Sequence, residues 1–320
     1  TLWNVMPCSI VNVSTWVTHL PSGYESGMNR IVDSAFYDLT YKDSTIVVAN
    51  LSDPARATTW VQDLNRNAQT HTGTTLIIGS DGNDLIQGGR GNDFLEGRDG
   101  NDTFRDSGGY NIIVGGQGIN TLELQTSLSK VDVVNDGQGT VYVRDAQGAI
   151  TLTHDISMLV SEEPNWLGIR QSVTHRVADD GLWTGNTRSD YTHSVTASTA
   201  DSMLKAQLKG DWLIGQGGND HLIGTLGQHV FIGGAGDDLL EAAGGHNTFV
   251  FTGDFGHDTL KGYQGNDTLV FLGVEGGYNA DYRAHARASG ADTVLSFGDS
   301  SVTLVGVGLA HLGGADIVIA

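Results

Sequence analysis

The chain has 320 residues, of which 37 are Asp or Glu and 17 are Lys or Arg, so its formal net charge is −20. This acidity excludes a nucleic-acid-binding surface, because contacts with phosphates need basic side chains. Cys8 is the only cysteine, which excludes an intrachain disulfide. No apolar run is long enough to span a membrane, so a transmembrane segment is excluded as well.

The first residues, T-L-W-N-V-M-P, contain neither a basic region nor a cleavage site, and they are therefore not a signal peptide. The chain starts at Thr1 rather than at a methionine, and it begins within a pattern. We expect it to be a fragment of a longer protein.

Residues 1–70 contain little glycine and are interpreted as the end of an α/β domain. Within them, residues 45–50 (T-I-V-V-A-N) form a β-branched run that predicts a buried strand. Asp53 and Pro54 suit a helix N-cap and first helical position, and they predict a helix that ends near Asn67.

His19 is a candidate general base, because it lies where an apolar run meets a Pro/Ser/Gly loop. A structural or surface histidine is the alternative interpretation. The chain contains no G-x-S-x-G motif, which would mark a nucleophilic serine, and no H-E-x-x-H motif, which would mark a zinc protease.

A nine-residue repeat dominates residues 79–123, in copies such as G-G-R-G-N-D-F-L-E and G-R-D-G-N-D-T-F-R. The first six positions, mostly Gly, Asp and Asn, predict a tight loop, and the last three predict a short strand with one inward side chain. Two repeats make one turn of a flattened parallel helix, so each repeat stacks on the next but one. The inward side chains are Ile86, Leu95, Phe104, Ile113 and Leu122.

The sixth position of each repeat is a candidate calcium ligand, because stacked carboxylates repel one another unless a cation lies between them. Calcium takes six to eight oxygens and accepts main-chain carbonyls from glycine-rich loops. A flexible polar loop is the alternative, but it does not explain a spacing that holds over five repeats. The candidate ligands are Asp84, Asp93, Asp102 and Asn111, with the loop glycines Gly79, Gly82, Gly88, Gly89, Gly91, Gly97 and Gly100.

Residues 126–160 alternate apolar and polar side chains between glycine turns and predict a β meander that caps the open end of the first repeat block. Residues 161–198 are polar and show no period, so we expect a loop-rich connector there.

The nine-residue period returns after Asp201, with Leu213, Leu222, Phe231 and Leu240 among the inward residues. His229 occupies the sixth position of one copy, where we expect calcium binding to be weak or lost. The candidate ligands of this block are Asp211, Asp220, Asp238, Asp258 and Asp267, with Gly215, Gly218, Gly233, Gly234 and Gly236.

The two repeat blocks, V-T-L-V-G-V at residues 302–307 and D-I-V-I-A at residues 316–320 resemble the C-terminal half of the bacterial family I.3 lipases. The resemblance covers essentially the whole chain. These lipases are extracellular triacylglycerol lipases that a type I system, an ABC transporter, exports. The departures from the family pattern are His229 and the degraded lead-in near Asp201.

The resemblance implies an N-terminal α/β-hydrolase-like domain with a Ser-Asp-His triad. His19, in T-W-V-T-H-L-P, matches the triad histidine, whereas the nucleophile, the acid and the lids would lie upstream of Thr1. Asp43 resembles a position that holds a structural calcium ion in that domain.

We therefore expect a mostly β fold, with two calcium-binding parallel β-rolls and β-sandwich segments, preceded by the end of an α/β-hydrolase-like domain. The predicted boundaries are 1–70 for that end, 71–125 for the first roll, 126–200 for the meander and connector, 201–270 for the second roll and 271–320 for C-terminal strands with a secretion signal.

The full-length protein is expected to be a secreted, extracellular lipase that hydrolyses lipid esters at an oil–water interface, with several bound calcium ions. This stretch alone should be inactive, because it lacks the serine motif. The alternative is a non-enzymatic calcium-binding folding and secretion module of another exported protein. A third option, the tail of another exported repeat enzyme such as a metalloprotease, is not supported by the residues around His19.

Overall fold

Short parallel strands, stacked in register, build most of this protein in a computed structural model. The structure describes residues 36–41, 44–49, 75–79, 82–177, 183–184, 194–197, 199–275, 281–313 and 317–320. These residues fall into two units, one up to residue 184 and one from residue 194. The described part is mostly β, as the sequence predicted, and none of its helices is long and apolar enough to cross a membrane.

The first unit contains two sheets, with strand orders β1-β2-β3-β5-β7-β11-β10-β9 and β14-β13-β12-β8-β6-β4. A 3₁₀ turn, Leu128–Lys130, follows β8. The strands are β1 (Phe36–Tyr41), β2 (Ser44–Ala49), β3 (Thr75–Ile78), β4 (Leu85–Gln87), β5 (Phe94–Glu96), β6 (Thr103–Asp106), β7 (Asn111–Val114), β8 (Thr121–Leu124), β9 (Asp132–Asn135), β10 (Thr140–Arg144), β11 (Ile150–His154), β12 (Met158–Pro164), β13 (Arg170–Val177) and β14 (Trp183–Thr184).

Alternate repeats pair in parallel, which makes the flattened helix that the period predicted. Strand β3 pairs with β5 and β5 with β7 in one sheet, while β4 pairs with β6 and β6 with β8 in the other. The five predicted inward side chains of this block are 0% or 1% exposed and form one apolar core between the sheets. The strand predicted at residues 45–50 is β2, and it joins the same sheet by pairing in parallel with β3.

The predicted meander closes this roll. Strands β9, β10 and β11 are antiparallel neighbours, and β11 pairs in parallel with β7, the last roll strand of its sheet. The strand edge of β7 is therefore covered, as predicted.

The prediction of a loop-rich connector over residues 161–198 is wrong for residues 161–177. These residues belong to a regular antiparallel hairpin of β12 and β13, which runs from the pair Met158–Arg176 to the pair Pro164–Arg170. The far half of this hairpin has no fully buried side chain on either face, so its sequence lacks the alternation that marks a half-buried strand. The turn signal at Asn165 and Gly168 was the available clue.

The second unit repeats the architecture, with strand orders β15-β17-β19-β21-β23-β27 and β16-β18-β20-β22-β26-β25-β24. Two 3₁₀ turns, Tyr282–Ala284 and Leu309–His311, lie among its later strands. The strands are β15 (Ser194–Thr196), β16 (Met203–Lys205), β17 (Trp212–Ile214), β18 (His221–Ile223), β19 (Val230–Ile232), β20 (Leu239–Glu241), β21 (Thr248–Thr252), β22 (His257–Lys261), β23 (Thr268–Leu272), β24 (Ala286–Ser289), β25 (Asp292–Phe297), β26 (Ser300–Leu304) and β27 (Ile317–Ile319).

The core of this roll is more aromatic than that of the first. The rings of Phe231 and Phe249 stack with centroids 4.8 Å apart, and those of Phe251 and Phe271 stack at 4.9 Å. Strand β27 pairs in parallel with β23, and the main-chain N–H of Ala320 donates to the carbonyl of Phe271 at 2.9 Å. Residues Ile317–Ile319 of the segment D-I-V-I-A thus form the last strand of a roll sheet.

Three sequence predictions lie outside the described residues: the helix over residues 54–67, the candidate base His19 and the candidate calcium ligand Asp43.

Candidate metal centres

The sixth-position side chains of the first roll lie in two buried rows, because every second repeat stacks. One row contains Asp84, Asp102 and Asn120, and the other contains Asp93 and Asn111. The Oδ1 atoms of Asp102, Asn111 and Asn120 each accept a hydrogen bond from the main-chain N–H one turn earlier. Asp84 N–H donates to Asp102 at 2.8 Å, Asp93 N–H to Asn111 at 2.9 Å and Asp102 N–H to Asn120 at 2.9 Å. All five side chains are buried.

The second roll has the same two rows with different compositions. We call Asp220, Asp238 and Asp258 the carboxylate row; Asp220 N–H donates to Asp238 Oδ1 at 2.7 Å, and Asp238 N–H donates to Asp258 Oδ1 at 2.9 Å. We call the other row, Asp211, His229, Asn247 and Asp267, the mixed row. All seven residues are at most 2% exposed.

The fifth position builds a second ladder that sequence reasoning missed. The Oδ1 of Asn83 accepts from Asn101 N–H at 2.8 Å, and that of Asn219 accepts from Asp237 N–H at 2.9 Å. These bonds run from the later turn to the earlier one, opposite to the sixth-position bonds. The recurrent G-N-D of the repeats was the signal that could have revealed the ladder.

In the carboxylate row and at Asp102, the second carboxylate oxygen has no hydrogen-bond partner in the protein. The Oδ2 atoms of Asp102, Asp220, Asp238 and Asp258 are all buried without a hydrogen-bond partner. Burying a charged oxygen without a partner is costly, so such an atom indicates a missing positive group.

In the loops of Asp102, Asp220 and Asp238, the first glycine leaves room beside this oxygen. A Cβ on Gly97 would clash with Asp102 Oδ2 and would lie 2.6 Å from the carbonyl oxygen of Gly115. A Cβ on Gly215 would likewise clash with Asp220 Oδ2 and with the carbonyl of Gly233. A carboxylate oxygen and a main-chain carbonyl thus border the same small space, which only glycine keeps open.

Two further loop glycines are required by the backbone itself. Gly234 and Gly236 have φ angles of 103° and 131°, and a Cβ on either would clash with the carbonyl of the turn below. The loops therefore stack closely enough for their carbonyl oxygens to take part in one site.

Burial raises the pKa of these carboxyl groups. The pKa of Asp102 is raised to about 7, that of Asp238 to about 6 and that of Asp258 to about 8, chiefly by desolvation and further by the neighbouring carboxylates. A bound cation would favour the charged form and reverse this effect.

Side chains alone do not make a metal site here. Within the described ranges, no group of three or more His, Cys, Asp or Glu side chains converges on one point. A cation beside Oδ2 must therefore take most of its ligands from main-chain carbonyls. Calcium accepts such ligands, whereas zinc prefers nitrogen and sulfur.

The two carboxylates of the mixed row, Asp211 and Asp267, are satisfied within the protein. Asp211 Oδ2 accepts from the N–H groups of Gln207 and Leu208, at 2.6 Å and 2.7 Å. Asp267 Oδ2 accepts from Gln264 N–H at 2.8 Å, and its Oδ1 accepts from both nitrogens of Asn247. The structure brings these two predicted ligands into the row, but their oxygens face N–H groups.

His229 takes the place of a sixth-position carboxylate in the mixed row. Its ring is fully buried, its Nε2 lies 3.3 Å from Thr225 Oγ1, and it meets the Phe231 ring edge-on at 6.3 Å. A Cβ on Gly224, the first glycine of this loop, would meet the Phe231 ring rather than a carboxylate.

An amide has a related role at the end of the first roll. Asn120, which was not among the predicted ligands, donates from Nδ2 to the carbonyls of Gly116 and Asp155 at 3.2 Å and 3.1 Å. The amide N–H thus satisfies carbonyls that would otherwise face a cation. Asn111 similarly donates to Asp106 Oδ1 and to the carbonyl of Gly108.

Fold and site together define a parallel β-roll protein whose glycine loops are built for calcium. A family model described as the RTX calcium-binding nonapeptide repeat matches residues 71–104, 91–122, 209–228, 214–249 and 250–272. The chain therefore contains several calcium-binding repeats.

The more specific comparisons are with lipases. Two proteins of Pseudomonas fluorescens, both named lipase, are 69% identical over 81 residues and 66% identical over 82 residues, in each case 25% of this chain. The crystal structure of the extracellular lipase LipA from Serratia marcescens matches 99% of this chain at 46% identity, with a TM-score of 0.73. The matches confirm the resemblance to a C-terminal part of a family I.3 lipase. The chain spans 51% of the LipA chain and 17% and 18% of the two Pseudomonas proteins.

Proposed function

We propose that calcium ions bind beside the Oδ2 atoms of Asp102 in the first roll and of Asp220, Asp238 and Asp258 in the second. The observation that carries this proposal is the buried, unpartnered oxygen at each of these four residues. At Asp102, Asp220 and Asp238 this oxygen also lies beside a glycine that leaves space for an ion. The carbonyls of the loop glycines supply most of the remaining ligands. In the first roll, Asp84 belongs to the same row as Asp102, and Asp93 belongs to the other row, with Asn111.

Calcium binding of this kind would drive folding. An unfolded glycine-rich loop holds no preformed site, so the free energy of binding becomes free energy of folding. The rolls are then unfolded at the low calcium concentration of a cytosol and folded outside the cell, where modules of this type bind calcium at about 10⁻⁴–10⁻³ M.

The protein that contains this chain is proposed to be an extracellular triacylglycerol lipase. Support comes from the similarity to a solved extracellular lipase over 99% of the chain. Ester hydrolysis by a Ser-Asp-His triad needs a histidine that takes the proton of the attacking serine. We assign this role to His19, on the match of T-W-V-T-H-L-P to the family motif.

Export by a type I transporter is part of the same proposal. The segments at residues 302–307 and 316–320 match the family's C-terminal signal region. A transporter that reads these segments must meet them unfolded, which agrees with folding that waits for calcium.

Triolein hydrolysis by the full-length protein tests the lipase assignment. The wild type should be active in calcium, whereas His19→Ala should lower turnover by several orders of magnitude, as loss of a triad member does. Calcium-dependent folding of this variant, followed by circular dichroism, should match that of the wild type. A His19→Ala protein that keeps most of its turnover would show that His19 is structural. A wild type without any esterase activity would favour the non-enzymatic module.

A further inference from the structure

The hairpin of β12 and β13 extends beyond the end of β8, the roll strand next to it in the sheet. Strand β12 pairs with β8 only from Met158 to Ser161, whereas its pairing with β13 continues to Pro164 and Arg170. We call residues 164–172 the hairpin tip. All of them are exposed except Asn165, which is partly buried.

The hairpin tip presents three large apolar side chains to solvent. Trp166 is 90% exposed, Leu167 58% and Ile169 59%. Isolated exposed apolar residues are ordinary on protein surfaces, but three within four consecutive positions form a patch that marks an interaction site.

The turn holds these side chains in a fixed arrangement. Asn165 Oδ1 accepts from the N–H groups of Leu167 and Ile169, at 2.9 Å and 3.0 Å. Asn165 N–H donates to the Ile169 carbonyl, and Gly168 N–H donates to the Asn165 carbonyl, both at 2.8 Å. Much of the main-chain hydrogen bonding of the turn is therefore internal, so moving the tip into an apolar medium breaks few bonds to water.

The charge of the hairpin tip differs from that of the chain. Residues 164–172 contain no Asp or Glu and one Arg, although the whole chain has a net charge of −20. That residue, Arg170, pairs with Glu162 at 3.0 Å on the shaft of the hairpin. The tip is thus free of the carboxylates that would resist transfer out of water.

We propose that the hairpin tip inserts into a neutral lipid–water interface, the surface of the acylglycerol that the protein is proposed to hydrolyse. This inference rests on the proposed function. A convex tip fits a deformable lipid surface better than a preformed protein groove. Trp166 suits the boundary between apolar and wet regions, and the aliphatic stem of Arg170 can lie along it while the guanidinium stays in water.

Flotation with phosphatidylcholine-coated triolein droplets, at saturating calcium, tests this inference. The change is the double variant Trp166→Ser, Leu167→Ser. Its matched control is Leu208→Ser, Leu226→Ser, which removes two exposed apolar side chains of the second unit, 56% and 78% exposed. Both variants should fold as the wild type does, because none of the four side chains is buried.

The tip variant should lose at least about tenfold in its partition coefficient for the droplets, since two large apolar side chains no longer leave water. The control should lose less than about twofold. Equal partition of the tip variant and the wild type would overturn the proposal, and this is also the result that a protein-docking tip would give.

Two activity readouts separate this inference from the lipase assignment. In the full-length protein, hydrolysis of a soluble short-chain ester should be the same for wild type and tip variant, whereas droplet hydrolysis should fall for the tip variant alone. Droplet binding that depends on the tip, in a protein with no esterase activity, would reject the lipase function and keep the lipid-binding tip.

Discussion

The two oxygens of a sixth-position carboxylate can differ in their hydrogen bonding. In Asp238, Oδ1 accepts the main-chain N–H of Asp220 and so joins two turns of the roll, whereas Oδ2 faces the glycine-lined space without a partner. In Asp267, both oxygens accept N–H groups. The same residue type at the same repeat position is thus open to a cation in one row and closed in the other.

This difference predicts opposite results for two identical substitutions. Asp238→Asn keeps the acceptor for Asp220 and replaces Oδ2 by an N–H donor, as Asn120 does in the first roll. The variant should fold but bind at least one calcium ion fewer at saturation. Equilibrium dialysis with radioactive calcium measures the stoichiometry.

Asp267→Asn is the matched control. It loses the acceptor for Gln264 N–H, so the free energy of unfolding should fall by about 1–3 kcal/mol while the number of bound ions stays the same. If both variants bind as many ions as the wild type, the carboxylate row is not the calcium site.

The raised carboxyl pKa values predict that acid partly replaces calcium. Burial raises the pKa of Asp102 to about 7 and that of Asp258 to about 8, above the value of about 4 in an unfolded chain. Between these values the folded calcium-free chain binds more protons than the unfolded chain, so its stability rises as the pH falls. Circular dichroism of a chain freed of calcium by dialysis should show more β-structure at about pH 5 than at about pH 8. A β signal that stays constant or falls over this range would contradict the burial of uncompensated carboxylates.

At the scale of the element, the repeats were predictable because one short pattern fixes the loop, the strand and the inward side chain together. The buried residues Ile86, Phe104 and Leu222 are all where the period placed them. The division of the second roll into a carboxylate row and a mixed row was only partly predictable. His229 indicated that calcium binding would be weak or lost at its position. However, the N–H groups that donate to the carboxylates of Asp211 and Asp267 come from loop conformations that the repeat does not specify.

The strands outside the repeats were harder to predict. Strands β15 and β16 lie before the first clear repeat. Even so, β15 pairs in parallel with β17, and β16 pairs in parallel with β18. Their sequences lack the glycine pattern, and neighbouring strands rather than local propensity determine their pairing. The hairpin of β12 and β13 was missed for a similar reason, since its side chains are buried only at its base, at Leu159, Ser161 and His175.

Strand β27 links folding to the proposed export. Ile319 and Ala320 are buried against the second roll, and Gly273 N–H donates to the Ala320 carbonyl at 2.9 Å. In the folded protein this segment is therefore paired and not available to a transporter. Deletion of residues 316–320 should leave the protein inside an expressing cell that carries the export system. Normal amounts of the deletion variant in the medium would place the signal elsewhere.

At the scale of the whole molecule, charge and composition point to folding that depends on cations. With a net charge of −20, the chain repels itself when it is compact, and with one cysteine it has no intrachain disulfide to stabilise the fold. One calcium site at ten times its dissociation constant stabilises the folded state by about 1.4 kcal/mol. Four such sites would contribute about 6 kcal/mol, which is within the range of a typical domain's total stability.

The most direct test is a calcium titration of the chain followed by far-ultraviolet circular dichroism, starting from protein in excess chelator. Calcium-dependent folding predicts little β-structure in chelator and a cooperative gain of the β signal, with a midpoint of about 10⁻⁴–10⁻³ M calcium. Magnesium at the same concentration should not produce it, because its small octahedral shell does not fit carbonyl-rich loops. A β signal in chelator equal to that in saturating calcium would contradict the central claim that calcium folds the rolls.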